Sequence, residues 1–115
     1  MQLREAIDFE KFVQYIFFGQ WMSLKKYCNN QGIEIFGDLP IYVTHDSSDV
    51  WANPKNFKLG RDGNPLLVAG VPPDCFSETG QLWGNPVYNW EVLKNSSYDW
   101  WMQRLRFNLE IMDIM

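Results

Sequence analysis

At 115 residues the chain has one domain's length, and 46% hydrophobic with 21% charged residues is the balance of an ordinary globular protein. A net charge of −4, with basic residues only in short pairs such as Lys25-Lys26 and Arg104 with Arg106, argues against a nucleic-acid partner, which needs a clustered basic face. No apolar run is long enough to span a membrane, and a single His with two distant cysteines, Cys28 and Cys75, forms neither a zinc set nor a C-x-x-C pair, so membrane, metal and disulfide roles are not expected.

In chain order, residues 8–30 read as a helix. Phe9, Phe12, Val13, Ile16, Phe17, Trp21, Leu24 and Cys28 fall at three- and four-residue spacings on one broad face, which predicts a core-facing helix with Cys28 as a small buried hydrophobe. Asp8 is the expected N-cap, and Gly32 the left-handed stop. "IEIFG" then predicts a strand over 33–37, with Asp38 just past its end. Helix, turn and strand make half of an α/β unit. From Leu39 to about Tyr88 periodicity is weak, and Asn53-Pro54, Asp62-Gly63-Asn64-Pro65, Val71-Pro72-Pro73 and Gly84-Asn85-Pro86 mark turns. "PLLVAG" suits a short strand, and Asn89 to Leu93 one or two helical turns. Ser96 opens a second helix to about residue 112, with Trp101, Leu105, Leu109 and Met112 on a core face and Ser96-x-x-Asp99 as a weak capping box.

One strand makes no sheet, and a loop of roughly fifty residues is uncommon in a compact domain unless it is functional. The expectation is therefore a piece of a larger α/β protein. The loop's most telling stretch is "GVPPDCFSETGQLWGNP", Gly70 to Pro86, which sets Phe76, Leu82 and Trp83 among carboxylates and amides.

Other loop residues have plain readings. Asp38 before Pro40 fits an Asx turn or a site role. His45 reads as a solvated histidine. Asp46, Ser47, Ser48 and Asp49 read as a loop tying itself together, and Trp51 as loop core. Phe76 divides evenly between packing and stacking, and Glu78 is an exposed acid.

"GDLPIYVTHDSSDVWANP" (37–54) followed by "VAGVPPDCFSETGQLWGNPVY" (68–88) resembles the 4-α-glucanotransferases, also called amylomaltases or disproportionating enzymes. "FVQYIFFGQW" and "WWMQRLRFNLEIMDIM" resemble their helices. The resemblance implies a (β/α)8 TIM-type barrel that moves α-1,4-glucan segments between malto-oligosaccharides with retention, without cofactor or catalytic metal. Ligands of such barrels bind on the loops after the strands. It further implies that 1–115 is a partial catalytic barrel domain needing the remainder of the barrel. Residues 33–37 would be barrel strand three. No catalytic carboxylate would lie in the chain, since the family's nucleophilic Asp, in an R-I-D-H-F motif, would follow Met115. A cytoplasmic setting is expected, or a plastid if the source is a plant.

The implied substrate-binding residues are Asp38, Asp74, Cys75, Phe76, Gln81, Trp83 and Asn85. A glucose ring has an apolar C–H face and a rim of hydroxyls. Trp83 and Phe76 offer flat surface for the face, while Asp74, Gln81 and Asn85 offer hydrogen bonds to the rim. Cys75 departs from the family, which usually carries an aromatic there, typically Tyr. A thiol neither stacks on a sugar nor offers a phenolic hydroxyl. Two other readings remain open: a non-catalytic carbohydrate-binding module, and an interaction fragment whose aromatics are only core.

Overall fold

A computed structural model describes residues 2–115, which divide into two compact units: residues 2–39 with Gln103–Met115, and Pro40–Met102. Helix α4 (Asp99–Ile111) starts in the second unit and ends in the first.

In the first unit, α1 runs Gln2–Asn30. It starts earlier than expected, at Gln2, so the helix runs through Asp8 rather than beginning there. Asp8 is consequently not a cap. It lies inside the helix, 3.9 Å from Arg4 one turn back, an exposed pair that contributes little. The expected stop is present: Ile33 N donates to Cys28 O and Gly32 N to Asn29 O, with Gly32 at φ +74°. This is the pairing of a Schellman motif, which satisfies two of the helix's last carbonyls.

The strand expected at 33–37 reduces to one parallel bridge, Phe36 to Ile114. Gly37 N donates to Ile114 O (2.8 Å) and Asp113 N to Ile35 O (3.0 Å). The C-terminal end of α4 is tied to α1 by side chains. Trp21 Nε1 donates to Ile111 O (2.8 Å), and Lys25 Nζ to Glu110 O (2.9 Å) and Met112 O (3.0 Å). Such donors satisfy carbonyls that a helix end leaves without intrahelical partners. Asp113 completes the junction, accepting from Ile35 N and Asn29 Nδ2 (2.8 Å each) and pairing with Lys25 at 3.3 Å. The Ile35 N–H first, then Asn29 and Lys25, hold its carboxyl below the ordinary carboxylate value.

The helix faces read as core are not buried in this chain. Among the described residues no side chain of α1 or α4 is fully buried, and Phe9, Phe12, Phe17 and Leu24 stand exposed. Cys28 is half-buried. The periodic pattern makes an apolar face, but whether that face is covered depends on neighbours the pattern does not contain.

In the second unit, the segment of weak periodicity holds short elements, and the short strand and the helical turns expected at its end are both present. The elements are α2 (Ser48–Ala52), a 3-10 turn (Pro54–Asn56), strands β1 (Val68–Val71) and β2 (Gln81–Pro86), and α3 (Trp90–Asn95). Ser47 caps α2 by accepting from Val50 N. The strands pair antiparallel, so "PLLVAG" contributes only its second half and gains a partner inside the stretch read as loop. Val68 faces Pro86 but Gly70 faces Leu82, so β2 carries the extra residues of a bulge, and Gly84 at φ +79° sits among them. Residues 81–84 are all exposed, which removes the alternation that marks a half-buried strand.

The core of this unit is aromatic. Tyr88 is 1% exposed, and around its ring stand Phe57 (centroids 5.1 Å apart), Trp90 (5.3 Å), Trp101 (5.3 Å), Trp100 (5.7 Å) and Tyr42 (6.1 Å). Val43, Val50 and Leu93 complete it. Tyr88 keeps its hydroxyl satisfied by donating to Ile41 O at 2.6 Å. Ser96 serves the end of α3 rather than boxing α4, since its Oγ donates to Leu93 O. Ser97 and Tyr98, at φ +54° and +58°, make the left-handed link into α4.

Candidate functional site

Residues 72–80 form the loop between β1 and β2, and they fold around two side chains. Asp74 Oδ1 accepts from Phe76 N (2.9 Å) and Ser77 N (2.8 Å), while Asp74 N donates to Ser77 O (3.0 Å). Ser77 Oγ donates to Gly80 O at 2.8 Å and closes the other side. Gly80 is at φ +74°, and a Cβ there would lie 2.5 Å from Val71 O, so only glycine fits this neck. These local bonds give the loop a fixed shape without a core of its own.

What the loop displays follows from that shape. Phe76 is 90% exposed and packs on nothing in this chain. Cys75 is an exposed free thiol beside it, and Glu78 is exposed. Asp74 has Oδ1 committed to the turn and Oδ2 available to solvent.

On β2, Trp83 Nε1 donates to Gln81 Oε1 at 3.0 Å, and its ring meets Tyr42 edge-on at 5.9 Å. Tyr42 in turn stacks on Tyr88. A half-exposed indole is thus braced against the aromatic core, and its ring orientation is held by a neighbouring amide. Asn85 Nδ2 donates to Val43 O (3.0 Å), tying β2 to the segment that carries Tyr42.

Of the seven expected binding residues, six lie on this hairpin in the second unit. Asp38 belongs to the first, exposed, two residues beyond the bridged Phe36. Tyr42 was not among the expected residues. Its only sequence signal was an aromatic within "PIYV", and its use as the brace for Trp83 depends on tertiary placement. His45 is exposed, as expected, but its Nε2 lies 2.8 Å from Gly63 O.

The reading of Trp51 as loop core is overturned: it is 86% exposed. Val50 is the buried residue of this short helix, and it takes the core position expected of Trp51. Among the described residues, no helix is long and apolar enough to cross a membrane.

Comparison with known proteins bears on this arrangement. The family profile described as 4-alpha-glucanotransferase matches residues 1–115. The chain is 53% identical to the 4-alpha-glucanotransferase of Synechocystis over 99% of its length and 50% identical to that of Clostridium butyricum over 99%. It is 46% identical to the chloroplastic/amyloplastic enzyme of Solanum tuberosum over 96%. It spans 23%, 24% and 19% of those relatives, respectively. The solved amylomaltase of Streptococcus agalactiae in complex with acarbose superposes with a TM-score of 0.93 at 50% identity, over 98% of this chain and 23% of that one. With the whole chain matched and the fold shared, this polypeptide belongs to the 4-alpha-glucanotransferase family.

Proposed function

We propose that the intact protein carrying this chain transfers α-1,4-glucan segments between malto-oligosaccharides with retention, and that residues 1–115 supply a substrate-binding loop and part of a (β/α)8 barrel wall. The carrying observation is the hairpin itself. A self-knit loop closed on the Asp74 carboxylate holds Phe76 out in solvent, and the same hairpin carries an indole braced from behind by Tyr42 and held by the Gln81 amide oxygen. That combination suits a sugar with one apolar face and a hydroxyl rim. The complex of the Streptococcus agalactiae amylomaltase with acarbose supports the same ligand chemistry.

In this reading Trp83 stacks on a glucose ring and Phe76 offers a second surface. Asp74 Oδ2, the Gln81 amide and Asn85 Oδ1 take hydroxyls. Cys75 stands where a larger ring would add contact, and Asp38 orients substrate from the loop after residues 33–37. A retaining transfer needs one carboxylate as nucleophile and another as acid/base. Both come from outside residues 1–115, with the remainder of the barrel, and no cofactor takes part. The bracing of Trp83 favours transfer by holding an acceptor sugar in place against water.

The test is disproportionation of maltotriose by the intact protein. Trp83→Ala lowers transfer more than Glu78→Gln does. An inactive Glu78→Gln beside an active Trp83→Ala refutes this assignment.

A further inference from the structure

The second unit holds a cleft of about 490 Å³ that the hairpin site does not use. Its volume falls in the ~300–1,000 Å³ range of small-molecule sites. Trp51 lines it, with His45, Asp46 and Ser48 on the polar side and Val50 and Leu59 as the apolar base. We infer that this cleft is a second α-glucan site, in which Trp51 is the stacking platform and which holds long glucan chains rather than reacting on them.

Three observations carry the inference. First, the exposure of Trp51 is built in. Ser47 caps α2 and Val50 anchors it in the aromatic core, and on that fixed mount the Trp51 indole is 86% exposed.

Second, a specific tie joins two residues of the cleft lining. A carbonyl can only accept, so the 2.8 Å contact between His45 Nε2 and Gly63 O requires a proton on Nε2. In the neutral ring Nδ1 is then an acceptor. Gly63 itself sits in a closed turn, in which Gly60 N donates to Asn64 O, Gly63 N donates to Gly60 O, and Asp62 accepts from the Asn64 backbone and side chain.

Third, the lining chemistry selects the ligand class. The lining brings together an indole, an imidazole, a carboxylate and two hydroxyl side chains, with no Lys or Arg. Phosphate-bearing ligands want cationic partners, and a protein partner wants a drier patch. A sugar wants a flat apolar surface beside hydroxyl-binding groups.

The inference rests on the transferase reading for its substrate class, and the experiment separates the two. The intact protein is run by native electrophoresis with and without soluble starch in the gel, and kcat/KM is measured on starch and on maltotriose. Trp51→Ala raises the starch dissociation constant by about 2–10-fold, the range of one aromatic stacking contact, with Trp51→Phe in between. Its kcat/KM falls more on starch than on maltotriose. If Trp51→Ala unfolds, Asp46→Asn and Ser48→Ala on the rim serve in its place.

Wild-type starch mobility in every variant overturns the inference, as does an equal fall on both substrates. Starch retardation that depends on Trp51, in a protein without transfer activity, keeps this site and refutes the transferase reading. Intact transfer with starch binding indifferent to Trp51 does the reverse.

Discussion

Replacing Tyr88 tests whether the aromatic cluster is what holds the second unit together. Tyr88 is 1% exposed and touches five rings, so Tyr88→Ala removes the centre of the core. An aromatic-to-Ala change at a buried site costs about 3–5 kcal/mol, from lost transfer energy and the cavity left behind. Tyr88→Phe keeps every ring and loses only the hydroxyl bond to Ile41 O. Ile41 is exposed, so water can reach its carbonyl, and the loss is about 1 kcal/mol. The two substitutions therefore separate packing from hydrogen bonding. Hydrogen exchange in the intact protein reads the result locally. Lys58 N donates to Val87 O and Asn89 N to Asn56 O (2.8 Å each), and these amides flank the cluster. In Tyr88→Ala they exchange on the order of 10²–10⁴-fold faster, in Tyr88→Phe only several-fold faster. Less than a tenfold change in Tyr88→Ala refutes the idea that the cluster is the core. An equal change at the Gly37 amide in the first unit refutes its independence.

Other outcomes follow from the same geometry. Gly80→Ala places a Cβ against the Val71 carbonyl at a left-handed φ and destabilises the loop by about 1–3 kcal/mol, read as faster exchange of the Ser77 amide. Cys75→Tyr tightens binding of longer malto-oligosaccharides by calorimetry, since it adds stacking surface beside Phe76; unchanged or weaker binding counts against that role. Asp113 has a carboxyl pKa lowered from 3.8, so its stabilisation is present above that ordinary value and is lost as pH falls through the lower folded-state value. Protection of the Ile35 amide declines across that acid window, and Asp113→Asn removes the dependence. The isolated 115-residue polypeptide enhances the fluorescence of anilinonaphthalene sulfonate, because Phe9, Phe12, Phe17 and Leu24 are exposed. No enhancement means that the α1 face closes on itself.

The amino-acid sequence alone determined what depends on near neighbours. The spacing of Phe9 through Cys28 specified α1, and Gly32 its stop, because a helix and its Schellman end are made of bonds within a few residues. The long motifs of residues 37–54 and 68–88 carried the family in the same way. The stop of α1 was legible but not its start, because the apolar spacing begins only at Phe9 while the helix itself begins at Gln2. Tertiary structure decided everything that needs a distant partner. β2 exists because β1 lies beside it: Gln81–Trp83 are exposed, so no alternation announces the strand, and the pairing supplies the bonds. Trp83 is a braced platform because Tyr42, some forty positions earlier, presents a ring edge to it. Val50 is buried and Trp51 exposed on the same short helix, an assignment made by the core that α2 docks on. Local periodicity states which faces are apolar, but coverage of a face is a fact about other segments, so the exposed face of α1 and the buried ring of Tyr88 could be told apart only in three dimensions.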